Sequence, residues 1–258
     1  MNEQRTDSSR WTFTGGSELK VPHVASMTWR DGLFAHWPVD PDELRPHIPG
    51  QMHLETRDGH AWVSILPFVL TNVGFRGTPS ILRFAFAELA VRTRVRYRGE
   101  PGLYFFSIDI GNSLIATTIG QAARFPVSRA RTRVSATERN HIRFSSERTG
   151  RDGGIPATFA AAYRPDGEPF TAEPNTLAYW LTARRRFYAS TDRGVIAVEI
   201  AHEPWPLQPA TASIEENTLF DSNGLPTPTD DPIFYYADKL SMTVSMPRRP
   251  GTPDSSHG

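Results

Sequence analysis

The chain has 258 residues, with 28 basic and 28 acidic side chains and no formal net charge at neutral pH. That length suits one β-rich domain or two small ones, and the balanced charge removes the global field that would draw nucleic acid or an anionic membrane surface. The lack of any cysteine excludes disulfides, thiolate nucleophiles, iron–sulfur clusters and cysteine-bound zinc.

In chain order, residues 1–22 are polar, lack the apolar run of a signal peptide, and are expected to be a flexible segment. Asp40-Pro41-Asp42-Glu43 supplies an N-cap, a proline in the first turn and an early acid, so a short helix is predicted there, ended by Pro46 and Pro49. Strand signals bounded by turn chemistry then follow at residues 60–70, 86–97, 102–110, 113–125, 124–134, 141–147 and 156–164. A helix is predicted over 175–189, because Leu177, Trp180, Leu181, Phe187 and Tyr188 share one 3.6-residue stripe. Arg184 lies inside that stripe and is expected to be clamped by a carboxylate or by strand carbonyls. Two more strands are predicted at 194–203 and 234–246, and the proline-rich tail 247–258 reads as flexible.

These signals predict a mainly β fold in which large antiparallel sheets form a barrel or a sandwich, with a few short helices and one domain over 23–246. No run approaches the ~18 apolar residues of a membrane helix, and a cytoplasmic location is expected.

Parity along the strands raises the central question. On 86–97, the odd positions Leu89, Val91, Val95 and Tyr97 form an ordinary apolar face, whereas the even positions give Phe86, Glu88, Arg92, Arg94 and Arg96. Simple alternation on 102–110 puts Phe105, Ser107 and Asp109 on one face. On 124–134, Arg129, Arg131 and Arg133 share a face with Val127, opposite Ser128. In a sandwich these charged faces meet solvent, and in a barrel they line a polar cavity. Only two of the 28 basic residues, Lys20 and Lys239, are lysines, so the chain offers fixed cationic forks rather than amines able to attack a carbonyl. Eight histidines show no paired metal-ligand spacing and no metal is expected. His202, at a strand end beside Trp205, stands out, and the tryptophans, Trp37 among them, are expected in the core or a cavity wall. Neither the nucleophile elbow of serine hydrolases nor a glycine-rich nucleotide loop occurs.

Eight short motifs in one order carry a resemblance. They are W-x-D-x-L-F-x-x-W-P-V from Trp29, D-x-x-x-L-R-x-x-I-P from Asp40, D-G-x-A-W-V from Asp58, F-A-E-L-x-V-R-T-x-V from Phe86, Y-F-F-S from Tyr104, F-P-x-x-x-A-R from Phe125, L-T-x-R from Leu181 and H-x-P-W-P from His202. Together they resemble the uncharacterised YqjF-like branch of the acetoacetate decarboxylase-like superfamily, over about residues 25–245. The resemblance implies an antiparallel β architecture curled around a cavity, an inward direction for Arg129 and Arg131, a catalytic glutamate at Glu88, and homo-oligomers. It also implies that the imine-forming lysine pair of true decarboxylases falls at Val127 and Ser128, neither of which can form an imine.

The reading that follows is a small-molecule cavity protein without cofactor. As an enzyme it would be a lyase or isomerase in which Glu88 is acid or base toward a small oxo acid or aromatic acid. Arg92, Arg129, Arg131, Ser107, Asp109, Val127, Ser128, Trp37, His202, Trp205 and Arg184 would surround a carboxylate-bearing ligand. The alternative is a non-catalytic protein in which Glu88, Arg92, Arg131 and Arg184 form a buried salt-bridge network.

Overall fold

A computed structural model describes residues 22–112, 115–117, 124–137, 141–150 and 155–251. The strands are β1 (His23–Val39), β2 (His53–Leu54), β3 (Ala61–Phe75), β4 (Phe84–Tyr97), β5 (Glu100–Ile110), β6 (Val127–Arg129) and β7 (Arg131–Ala136). They continue as β8 (Ile142–Arg148), β9 (Ala157–Pro165), β10 (Arg186–Thr191), β11 (Gly194–His202), β12 (Gln208–Asn217) and β13 (Ile233–Ser245).

Seven of these strands close on themselves. Their order is β1-β3-β4-β5-β10-β11-β13, and β13 pairs back onto β1 from Ser245 against His23 to Ile233 against His36. Closure removes the edges that an open sheet would expose. The pairing is antiparallel except at β5–β10 and β5–β6, which run parallel. The mainly β ring expected from the sequence is therefore present, as a mixed rather than purely antiparallel sheet. β12 branches off β13 at Gln208 and Pro209, and β9, β8 and β7 follow it into a second layer.

Two apolar clusters follow from this geometry. Inside the ring lie Trp29, Phe34, Leu66, Phe68, Phe86, Ala90, Phe105, Ile108, Trp205, Leu240 and Met242, drawn from strands around the ring and the loop after β11. Between the outer face of β1, β3 and β4 and the second layer lie Leu33, Ala35, Trp37, Val63, Ile65, Leu89, Val91, Phe144, Phe159 and Tyr163. β1, β3 and β4 are thus buried on both faces. That explains why β1, the longest strand, reads poorly as one: its last eight residues are all buried and show no alternation. Trp29 lies so close to Gly32 that a Cβ there would sit 1.9 Å from its ring, so only glycine fits. The indole stacks on Phe68 at 4.0 Å and meets Trp205 edge-on at 4.9 Å.

The first predicted helix is present at Pro41–Leu44, with the Asp40 carboxylate accepting from the Asp42 and Glu43 amides at 2.7 and 3.4 Å. The second is shorter than its periodicity suggested. It spans Leu177–Thr182, and Arg186–Thr191 is instead strand β10, in a hairpin with β11 that turns at Gly194, φ 111°. Backbone pairing to Val195–Glu199 overrides the helical stripe, as tertiary context commonly does. β12, with its alternating but small side chains, carries little apolar signal. Within the strand expected at 113–125, residues 115–117 are helical instead, the Ala116 amide donating to the Asn112 carbonyl at 2.9 Å; residues 113–114 and 118–123, and nearly all of the flexible segment expected at 1–22, lie outside the described residues. No helix among the described residues is long and apolar enough to cross a membrane.

The two layers are tied by one buried ion pair. Arg148 on β8 reaches through the apolar interface to Asp109 on β5 at 2.8 Å, both side chains under 7% exposed, and also bonds the Ile155 carbonyl and the Ser222 hydroxyl. Desolvation, partly offset by Arg148, pushes the Asp109 carboxyl up to about 6. Removing one member strands the other charge in an apolar interface, so Arg148→Met is expected to lower stability by about 3–5 kcal/mol. The Asp109→Leu/Arg148→Met double variant should recover most of that loss in urea unfolding. A single variant that unfolds at the wild-type midpoint would show that the pair does not hold the layers together.

Candidate functional site

The even face of β4 decides the question left by parity. Phe86 and Ala90 belong to the cluster inside the ring, so Glu88, Arg92 and Arg94, at the same parity, point inward rather than to solvent. Register places partners beside them: Ser64 of β3 lies between Arg92 of β4 and His36 of β1, one row across three strands. From the far wall, β11 contributes His202, paired to Met242 of β13 and tilted against Trp205 with ring centroids 4.8 Å apart.

Arg92 is the charge common to this set. It interacts electrostatically with Glu88, His36, Arg94 and His202. Burial drives each group toward its neutral form. Desolvation lifts the Glu88 carboxyl from 4.5 to about 8 against the pull of Arg92. It lowers the Arg92 guanidinium to about 10, Glu88 opposing, which leaves Arg92 charged at neutral pH. His202 falls to about 4 through desolvation, and His36 also falls well below its ordinary value, pushed further by Arg94 and Arg92. At neutral pH the interior therefore holds a protonated Glu88, two neutral imidazoles and a charged guanidinium. Glu88 is only half-buried by accessible surface, although desolvation dominates its titration.

Three buried polar atoms here have no hydrogen-bond partner among the described residues: His36 Nε2, His202 Nε2 and Arg92 Nε. Orphaned polar groups in an apolar interior are rare and costly. Arg94, by contrast, has a partner at each of its three nitrogens. It donates to Ser64 Oγ at 3.1 Å and to the Trp180 and Leu181 carbonyls at the end of the helix Leu177–Thr182, and its guanidinium lies 5.0 Å over the Trp180 ring. A cation at the carbonyl end of a helix is electrostatically favourable, so Arg94 fastens the end of that helix to β4.

The other expected site residues are placed elsewhere. Arg129 and Arg131 are exposed, and Arg131 faces Glu147 at 3.5 Å across the β7–β8 pair, so the inward direction implied by the resemblance is corrected. β7 ends the second layer, where strand faces meet water. Ser107 and Asp109 face the opposite side of the sheet from Glu88. The register shifts between Val91 and Arg92, which skips Phe106 and flips every later side chain of β5, a bulge that simple alternation misses. Ser107 accepts from Asn223 at 3.2 Å in the outer layer. Trp37 also lies in the outer cluster, edge-on to Phe220 and Phe234. Arg184 pairs with Glu55 at 3.0 Å, and Glu55 also holds Arg96 at 2.8 Å, a clamp separate from Glu88. The four-residue salt-bridge network is therefore not formed.

Val127 packs against the inner cluster beside Ile108, with half-buried Ser128 opposite Asp109. Lys239 is exposed on β13, and Lys20 lies outside the described residues. Sequence reading missed His36 and Ser64 as site residues. The available signal was a polar pair within otherwise apolar strands, legible only once β1 and β3 are known to be adjacent.

Comparison with known proteins bears on both fold and family. The family model DUF2071, described as an uncharacterized conserved protein, matches residues 26–241. The uncharacterized protein YqjF of Bacillus subtilis (strain 168) is 42% identical over 220 residues, 85% of this chain and 89% of the relative. Among solved structures, the enduracididine biosynthesis enzyme MppR complexed with pyruvate superposes with a TM-score of 0.63 at 13% identity, covering 90% of this chain and 91% of that one. An acetoacetate decarboxylase-like enzyme from Sphingomonas wittichii RW1 gives 0.62 at 11% identity, covering 89% and 93%. At such identities the likeness is one of fold.

The Glu88 shift has a measurable consequence. Folded Glu88 keeps its proton up to about pH 8, whereas the unfolded carboxyl loses it near 4.5. Folding therefore takes up a proton in this window, and stability falls as pH rises through it, by about 1.4 kcal/mol per pH unit. Glu88→Gln, which mimics the neutral acid, should be increasingly more stable than wild type from about pH 4.5 to 8, with a constant gap above. Parallel stability–pH curves for the two proteins would show that Glu88 titrates normally.

Proposed function

The chain belongs to the DUF2071 family, and from that footing we propose that the interior of its ring is a binding cavity for a small oxo acid, with Glu88 as general base for enolisation at the carbon beside the ketone. The observation that carries this reading is the set of unpartnered buried atoms on Arg92, His36 and His202, with Arg92 the charge shared by both imidazoles and by a protonated Glu88. A ligand with a carboxylate and a carbonyl oxygen supplies the missing partners. Glu88 supports a cavity in its own way: partly accessible surface on a deeply desolvated carboxyl is expected of a group lining internal space.

Arg92 carries the positive charge for the ligand's carboxylate, which a guanidinium grips bidentately. The aromatic rings of Trp29, Phe34, Phe105 and Trp205 exclude water around the carbon skeleton. Ionised Glu88 removes the α-proton; the C–H electron pair moves into the enolate, and the proton rests on the carboxylate until it is returned. Burial tunes this base close to neutral pH, where proton transfer is most effective. Val127 in place of an amine is consistent with a reaction that forms no imine. MppR, a protein of the same fold, is described in complex with pyruvate, which makes pyruvate a natural first ligand to try.

The test is a thermal-shift and NMR experiment with pyruvate, acetoacetate and benzoate. An oxo acid is expected to raise the melting midpoint, and Arg92→Met to abolish that rise. In deuterium oxide the protein should speed exchange of the ligand's α-protons, tenfold per pH unit up to about pH 8, and Glu88→Gln should slow it by at least ~10²-fold. Binding with no exchange would make the interior a binding site only. Failure of all three acids to bind would overturn the reading.

A further inference from the structure

His36 is 0% exposed, and its surroundings determine which of its nitrogens carries hydrogen. Its Nδ1 lies 2.7 Å from Ser64 Oγ, and Ser64 Oγ also receives a hydrogen bond from Arg94 Nη1 at 3.1 Å. A guanidinium only donates, so this bond occupies one lone pair of the hydroxyl and leaves the Ser64 hydrogen seeking an acceptor. Ser64 is itself 0% exposed, and Nδ1 is the acceptor within reach among the described residues. The chain of donation thus runs Arg94 to Ser64 to His36 Nδ1, and the ring hydrogen sits on Nε2. Arg94 is fixed in turn by the carbonyls that end the helix Leu177–Thr182, so the relay is anchored at its far end.

His202 is held in the opposite tautomer. Its Nδ1 lies 2.6 Å from the Glu203 carbonyl oxygen, which only accepts, so Nδ1 carries the hydrogen and Nε2 offers a lone pair. Both Nε2 atoms are buried and unpartnered, and both imidazoles stand at inward positions of the ring.

We infer that His36 is the donor to the ligand's ketone oxygen, its Nε2 hydrogen aimed inward by Ser64 and Arg94 acting as positioning residues. The inference rests on the oxo-acid reading above and names the part that reading left open, the group that holds the enolate. Nδ1 is tied sideways to the neighbouring strand, which turns Nε2, the nitrogen farther from the backbone, toward the interior. His36 and Arg92 flank Ser64 on successive strands, so their Cα atoms lie about 10 Å apart by strand spacing. Inward side chains shorten that span to the length of a molecule whose carboxylate and ketone are adjacent or one carbon apart. As Glu88 takes the α-proton, the electron pair passes to the ketone oxygen, and the Nε2–H bond to that oxygen strengthens while its hydrogen stays on nitrogen. A neutral imidazole is suited to this, because it polarises a carbonyl without surrendering a full proton. His36 is kept neutral by its burial and by the flanking Arg94 and Arg92.

The test uses the full chain with pyruvate and with propionate, which has the carboxylate but no ketone. Nitrogen-15 spectra of histidine-labelled protein should show His36 as the Nε2–H tautomer and His202 as the Nδ1–H tautomer, before any ligand is added. Pyruvate should bind wild type about tenfold more tightly than propionate, the worth of one buried hydrogen bond. His36→Leu should erase that preference, so that the two acids bind alike. Ser64→Ala should mix the His36 tautomers and shrink the preference, and Ser64→Thr, which keeps the hydroxyl, should restore both. An Nδ1–H tautomer at His36 would overturn the inference whatever the variants do. Equal binding of the two acids by wild type would overturn it and leave the oxo-acid cavity standing. Binding of neither acid would overturn both.

Discussion

The return of β13 onto β1 is the constraint from which the rest follows. Pairing from His23 to His36 turns what would be an open sheet into a ring. Once the ring closes, one face of every member strand is sealed away from bulk water, and alternation no longer means core on one side and solvent on the other. The second layer then covers the outside of β1, β3 and β4, so these strands bury both faces. A charged residue on either face must find a partner, change protonation or face internal space.

The chain uses each of these outcomes in a different place. Asp109 and Arg148 pair across the interface between layers, where the desolvation cost is met by direct contact and two further hydrogen bonds. Arg94 spends its donors on carbonyls and a serine. Glu55 gathers exposed Arg96 and largely buried Arg184 on one carboxylate, and screening by water weakens only the Arg96 half of the clamp. Glu88 and Arg92 differ from all of these, because their charge is incompletely answered and their titration is displaced. Displaced titration of this kind marks functional sites and structural ion networks alike, and the open Nε of Arg92 sets this pair apart from Arg94 and from the Asp109–Arg148 pair above.

Neutrality and donor direction matter as much as charge inside the ring. His202 Nδ1 faces a carbonyl that only accepts, and His36 Nδ1 faces a serine hydroxyl that already accepts from Arg94. The inner surface beside Val127 is apolar, and half-buried Ser128 lies opposite Asp109. The polar chemistry is concentrated on β1, β3, β4 and β11 instead.

Much of this was legible in the residues. Turn signals and alternation located β3, β4, β5, β8, β9, β11 and β13 to within a few residues, because local propensity and pairing agree there. Glu88 and Arg92 stood out, with Arg94 and Arg96, as charges on one face of a strand whose other face is apolar. What the chain alone left open was direction: whether an even face looks into a ring or out to water depends on closure, which pairs residues more than 190 positions apart. The same strand parity that fitted Glu88 misled at Ser107 and Asp109, since one bulged residue reverses every side chain beyond it. Arg129 ends the short strand β6 at the margin of the ring sheet and Arg131 begins β7 at the edge of the second layer, so both are exposed, and Arg186–Thr191 became strand because β11 was there to pair with it. His36 and Ser64 meet only through the β1–β3 register. Sequence therefore determined which segments are strands and which residues could carry chemistry. Tertiary structure decided which of them share an interior, because long-range strand pairing, not local preference, sets the face a side chain occupies.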